Sequence, residues 1–187
     1  MSTILAQPRR LDTAALEQKV KSMYRSVALE PHAEYHFEMG RSLAERLGYA
    51  PADLDAIPQA AIESFAGVGH YFDLAQLQPG ETVADFGSGS GMDCFVAALK
   101  VGKAGRVIGI DMTDEQLAKA QALRDAGGFS QVAYRKGYIE STGLENGTCD
   151  AVISNGVVNL APEKAAVFRE AARVLKPGGR LALADIV

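Results

Sequence analysis

The 187 residues are 48% hydrophobic and 22% charged, which excludes wholesale disorder and suits one domain with its own core. Nineteen Lys and Arg stand against 23 Asp and Glu, for a formal net charge of −4 with the basic residues scattered. That argues against nucleic acid as a direct partner, while two Cys and three His leave neither a disulfide framework nor enough ligands for a protein-built zinc site.

Residues 1–10 carry no h-region, and no apolar run approaches the ~18 residues of a membrane helix. The expectation is a cytoplasmic protein with reduced thiols and no membrane partner. Leu16, Val20, Met23, Tyr24 and Val27 then recur on one helix face, with Asp12 or Thr13 as cap. Pro31 interrupts. A second helix is predicted along Phe37, Gly40, Ala44 and Leu47, ended by Gly48. His32 and His36, one turn apart and interleaved with Glu34 and Glu38, read as an exposed helix face rather than a metal site. Pro51, Pro58 and the Ala66–Gly69 stretch imply short helices joined by bends.

The chain divides near Pro79-Gly80. Residues 1–78 form a helical N-terminal segment and 79–187 alternate strand with helix. Thr82–Phe86 is a strand running into Gly87-Ser88-Gly89-Ser90-Gly91, followed by a helix over 92–101 that Gly102 stops. Arg106–Ile110 is a strand ending at Asp111. Thr113 and Gln116 form a capping box for a helix over 114–125, closed by Gly127-Gly128. Val132–Arg135 and the apolar Ala151–Ser154 are the third and fourth strands, with Cys149 in a polar turn before the latter. Pro162 opens a helix with Val167, Ala171, Val174 and Leu175 on one face. Lys176–Gly179 stops it, and Leu181–Val187 is a fifth strand. The fold class is therefore α/β, a mostly parallel sheet with helices on both faces. In such sheets ligands bind beyond the carboxyl ends of the strands.

At that end the glycine loop lies between a strand and a helix. Glycine permits positive φ and close backbone approach, and the helix presents free N–H groups. Asp111, about twenty residues on at the next strand end, suits the hydroxyls of a ribose. Loop, helix and acid together point to a nucleoside-containing cofactor. The dinucleotide pattern G-x-G-x-x-G fails at Met92, because the third glycine falls early, at Gly91. Asp85 beside the loop would repel a pyrophosphate and attract an ammonium or sulfonium.

Asp85–Gly91, Gly109–Thr113, Ser154–Leu160 and Val174–Gly179 resemble the motifs of class I S-adenosylmethionine-dependent methyltransferases. With Asp93-Cys94 and Gly137–Glu140, the set is similar to the arsenite methyltransferase family in particular. The resemblance covers 81–187 well and 11–78 weakly. It implies a Rossmann-like sheet with a helical N-terminal lid, S-adenosylmethionine as cofactor and a small-molecule methyl acceptor. It also implies residue roles. Gly87, Ser88, Gly89 and Gly91 would line the methionine part of the cofactor, and Asp85 would organise its amino end. Asp111 would hold the ribose, with Met112 packed on adenine and Ile139 and Glu140 at the adenine edge. Asn155 would face the sulfonium. Such sheets usually add two strands after the fifth, so the chain is expected to be a piece of a longer protein.

Two family positions depart from this pattern. Where arsenite methyltransferases carry arsenic-binding cysteines, this sequence has Gly156 and Val68. A soft, thiophilic centre needs thiolates, so the acceptor stays open between arsenite and an organic metabolite. Cys94, at a helix start, reads as a packing residue. His70 stands open between general base and packing, and Tyr24, Tyr35 and Tyr49 between acceptor pocket and core. Ser88 and Ser90 lack a nearby histidine, so no nucleophilic triad is proposed. The rival functions are an NAD-dependent oxidoreductase and a non-catalytic S-adenosylmethionine-binding module.

Overall fold

A computed structural model describes residues 12–186. The leader reading at residues 1–10 and the end of the fifth strand at Val187 lie outside them. Helix α1 (Thr13–Leu29) is capped by Asp12, whose carboxylate accepts the Ala15 N–H at 3.0 Å. Four short helices follow: α2 (Arg41–Leu47), α3 (Pro51–Asp55), α4 (Gln59–Glu63) and α5 (Phe72–Ala75). Then strand and helix alternate: β1 (Thr82–Phe86), α6 (Met92–Val101), β2 (Arg106–Asp111), α7 (Asp114–Gly127), β3 (Val132–Lys136), β4 (Cys149–Asn155), α8 (Lys164–Val174) and β5 (Leu175–Ala184). A single 3-10 turn at Val158–Leu160 lies between β4 and α8.

The five strands form one parallel sheet in the order β3-β2-β1-β4-β5. Alternation along β1 divides its residues between two cores. Val83 joins the apolar cluster built with α2–α6, which includes Tyr49, Leu54, Tyr71 and Phe95. Ala84 and Phe86 join the other cluster, with Ile108, Ile110, Val152 and the α8 residues Val167, Ala171 and Val174. Period two therefore puts Asp85 on the Val83 side, beneath α6. The strand order reverses between β1 and β4, the crevice where this class of sheet takes its ligands.

Several local expectations change. The second helix starts only at Arg41, because Gly40 takes φ +83° and residues 31–40 are turns and bends. His32 and His36 are accordingly exposed in turns, not on a helix face. Thr113 caps α7 with no side-chain hydrogen bond, and Gln116 points elsewhere. Asp111 takes over that duty, its Oδ1 accepting the Thr113 N–H at 2.8 Å. Cys149 belongs to β4 and is fully buried. Leu175 leaves the helix and starts β5. Lys176–Gly179 bulges out of that strand, since Leu175 pairs Cys149 and the next pairing is Arg180 with Ala151.

Candidate functional site

The ends of β1, β2 and β4, the 137–140 segment and one face of α1 enclose a cavity of about 260 Å³. Asp85, Gly87, Ser88, Gly89, Asp111, Met112, Ile139, Glu140 and Asn155 all line it, so nine of the ten residues singled out in the sequence meet in one place. Gly91 does not line it. It caps α6 at φ +93°, and a Cβ there would overlap the Tyr134 hydroxyl. Its glycine serves the backbone and packing behind the loop. Gly87 has a similar constraint toward the cavity, since a Cβ would lie 2.6 Å from Val157 Cγ1 at φ +80°.

The loop is fastened to β2. Gly87 and Ser88 donate their N–H groups to the Ile110 carbonyl at 2.8 and 3.0 Å. Gly89 donates to Asp111 Oδ2 at 2.9 Å. Asp111 thus holds both the glycine loop and the start of α7. Burial pushes its carboxyl above the usual range, while the Thr113 and Gly89 amides pull it back.

Two further buried carboxyls face the same cavity. Asp85 is 2% exposed, and burial, then the neighbouring Asp93, push it well above the ordinary carboxylate range. The Cys94 thiol donates to Asp85 Oδ2 at 3.2 Å. Burial and Asp85 push that thiol up, so the helix start does not make it a reactive thiolate. Asp93 accepts from the Tyr49 hydroxyl at 2.6 Å, the Tyr71 hydroxyl at 2.7 Å and Asn155 Nδ2 at 3.1 Å. Burial raises its pKa and these donors oppose the rise. No Lys, Arg or His is among the described residues lining the cavity.

Asn155 anchors the opposite wall. Its Oδ1 accepts from Val68 and Gly69 N–H at 2.8 and 3.3 Å, and its Nδ2 donates to the Gly69 carbonyl at 3.0 Å. That fixes the segment bringing Phe65, Ala66 and Gly67 to the cavity. Gly156 and Val68 stand side by side, since a Cβ on Gly156 would lie 3.3 Å from Val68 Cγ1. His70 does not line the cavity. Its ring packs 4.9 Å from that of Tyr49, centroid to centroid.

Sequence reasoning missed Asp93, Tyr71 and Gln116 as parts of this site. Asp93 gave a signal: it is a lone acid in the otherwise apolar start of α6. Gln116 is 2% exposed. Its Oε1 accepts from the Ser90 hydroxyl and its Nε2 donates to the Tyr24 carbonyl at 2.9 Å, joining glycine loop, α7 and α1. Only the tertiary placement of α1 reveals that role.

Residues 77–187 match the family described as "Methyltransferase domain". The arsenite methyltransferase of Halobacterium salinarum is 45% identical over 150 residues, 80% of this chain and 38% of that protein. The arsenite methyltransferase of Aquipseudomonas alcaligenes is 50% identical over 117 residues, 59% of this chain and 34% of that protein. The chain thus spans little more than a third of the length of these curated relatives. Among solved structures, an arsenic(III) S-adenosylmethionine methyltransferase from Chlamydomonas reinhardtii superposes with a TM-score of 0.66. It is 42% identical over 72% of this chain and 47% of its own. With the glycine loop, the strand-end acid and the parallel sheet in place, the chain belongs to the class I S-adenosylmethionine-dependent methyltransferase family and is similar within it to the arsenite methyltransferases.

Proposed function

We propose that the cavity binds S-adenosylmethionine and that the protein transfers its methyl group to a small-molecule acceptor. The observation carrying this reading is a glycine-loop cavity with two buried carboxyls, Asp85 and Asp93, a third that is partly buried, Asp111, and no basic residue among the described residues that line it. A ligand with an ammonium and a sulfonium compensates those carboxyls, whereas a pyrophosphate would add to the repulsion. This argues for the methyl donor over NAD.

In this reading, residues up to 78 supply the lid and acceptor wall, and residues from 79 onward hold the cofactor. Gly87, Ser88, Gly89 and Asp85 surround the methionine part, with Gly91 supporting the loop from behind. Asp111 takes the ribose, and Met112, Ile139 and Glu140 surround the adenine. Asn155 fixes the wall at the methyl end. The bound cofactor supplies an electrophilic methyl group. The chain's own share is orientation, water exclusion and a fixed field of carboxyls around the charge. The cytoplasm is the proposed compartment, where free thiols such as Cys94 and Cys149 stay reduced.

The acceptor follows from the Val68–Gly156 pair. The similar proteins are named for arsenite, but these two positions offer no thiolate, and both cysteines are buried and neither lines the cavity. An organic acceptor is therefore favoured over arsenic held by protein thiolates. The test supplies S-adenosylmethionine, arsenite and glutathione and follows S-adenosylhomocysteine. A silent parent and an active Val68→Cys/Gly156→Cys variant support this reading. A parent that methylates arsenite overturns the cysteine argument. A protein that binds the cofactor but yields no S-adenosylhomocysteine with any metabolite extract is a binding module instead.

A further inference from the structure

Helix α1 covers one wall of the cavity through Thr13, Leu16, Glu17, Val20 and Tyr24. Its two halves are held differently. The C-terminal half is tied to α7 and α4 several times. Gln116 Nε2 bonds the Tyr24 carbonyl, Lys119 Nζ bonds the Ala28 carbonyl at 3.3 Å, and Arg25 pairs with Glu115 at 2.9 Å. The Ser64 hydroxyl donates to the Val27 carbonyl at 3.2 Å. Over residues 13–21, the polar ties to the rest of the described residues all run to Tyr138. Its hydroxyl donates to Glu17 Oε1 at 2.7 Å and accepts from Lys21 Nζ at 2.9 Å. Lys21 closes the ring onto Glu17 Oε1 at 2.6 Å.

Tyr138 is 46% exposed, so its phenol could be satisfied by water alone. It is instead held between two charges. Hydrogen bonds from Lys21 and Tyr138 keep the Glu17 carboxyl below its ordinary range. The backbone of Tyr138 is also fixed. Its carbonyl accepts the Ser141 N–H at 3.0 Å, and Gly137 N–H donates to the Asp111 carbonyl at 3.0 Å. The ring thus stands on the segment that carries Ile139 and Glu140 into the cavity.

We propose that Tyr138 is a positioning residue which, through Glu17 and Lys21, latches the N-terminal half of α1 shut over the cavity and sets the rate of ligand exchange. Gln116 pins the other half, so α1 opens from the Thr13 end. The ligand arm of this proposal rests on the cofactor reading above. The hinge arm stands on the ligand-free protein.

The test is Tyr138→Phe, which removes one oxygen and leaves the ring. Hydrogen exchange in the ligand-free protein should quicken roughly three- to tenfold over 13–21 and stay unchanged over 23–29, the range expected for losing one or two exposed charged hydrogen bonds. Stopped-flow S-adenosylmethionine binding should show association and dissociation rising together, with affinity within about twofold of the parent. Raising salt from about 50 to about 500 mM should quicken exchange over 13–21 and speed dissociation more in the parent than in the variant, because salt screens the exposed Glu17 and Lys21 charges through which the phenol acts. A structural role alone would not give that salt pattern. Unchanged exchange over 13–21, or equal salt dependence in both proteins, overturns the latch. If the parent binds no S-adenosylmethionine while the variant still exchanges faster over 13–21, the cofactor reading fails and the latch stands.

Discussion

Gly91→Ala isolates what the third loop glycine does. The residue sits at φ +93°, where an L side chain costs about 1–2 kcal/mol. Its Cβ would overlap the Tyr134 hydroxyl oxygen and stand 3.0 Å from Tyr134 Cζ and 3.2 Å from Phe95 Cε2. Tyr134 packs edge-on to Phe95, ring centroids 6.3 Å apart, so it has little room to retreat. Overpacking of this kind adds about 1–3 kcal/mol, for a total near 2–5 kcal/mol. Tyr134→Phe removes the overlapped oxygen, which has no hydrogen-bond partner among the described residues. In that background Gly91→Ala should cost less than in the parent by about 1 kcal/mol or more, with the backbone share and the tight 3.0 and 3.2 Å ring contacts remaining. Urea unfolding of the parent, both single variants and the double variant measures the coupling directly. The reasoning is refuted by a Gly91→Ala loss under about 0.5 kcal/mol, or by an equal loss in both backgrounds, since either removes the steric coupling.

Tyr49→Phe leaves Asp93 short of one donor in the core and should cost about 1–3 kcal/mol in the same unfolding assay, with the aromatic contacts intact. Glu170 is held near a pKa of about 2, first by Arg173 and then, against burial, by Thr142. Its folded pKa is depressed, so its contribution is complete above its ordinary 4.5 and is lost as pH falls toward 2; Glu170→Gln should flatten the unfolding free energy across that window by about 1–3 kcal/mol. Asp85 and Asp111 are raised instead, so a bound cation should lower their pKa values and release protons. Affinity for S-adenosylmethionine should then fall as pH drops toward their ordinary 3.8. Calorimetry in buffers of different ionisation enthalpy reads that release.

The sheet was legible because β1, β2 and β4 are short, mostly apolar runs and glycines mark most of the turns between strand and helix. The cavity residues were legible because they cluster at strand ends, where topology gathers them whatever the helices do. The N-terminal part was not. Phe37, Gly40 and Ala44 keep helical spacing, yet Gly40 adopts a positive φ that spacing cannot reveal, and the helix starts only after it. Gln116 has the sequence context of a capping box, but burial under α1 gives it better partners in Ser90 and the Tyr24 carbonyl. Asp93 looked like one member of a short motif. Its importance comes from two tyrosines 44 and 22 residues earlier, a convergence only the folded chain displays.

Calorimetric titration of the purified chain with S-adenosylmethionine, with NADH as the control ligand and Asp111→Ala as the variant, is the most direct test. Saturable binding of S-adenosylmethionine alone, lost in Asp111→Ala, is the predicted result. Binding of NADH in its place, or undiminished S-adenosylmethionine binding by Asp111→Ala, would contradict the assignment of the acidic cavity to a cationic methyl donor.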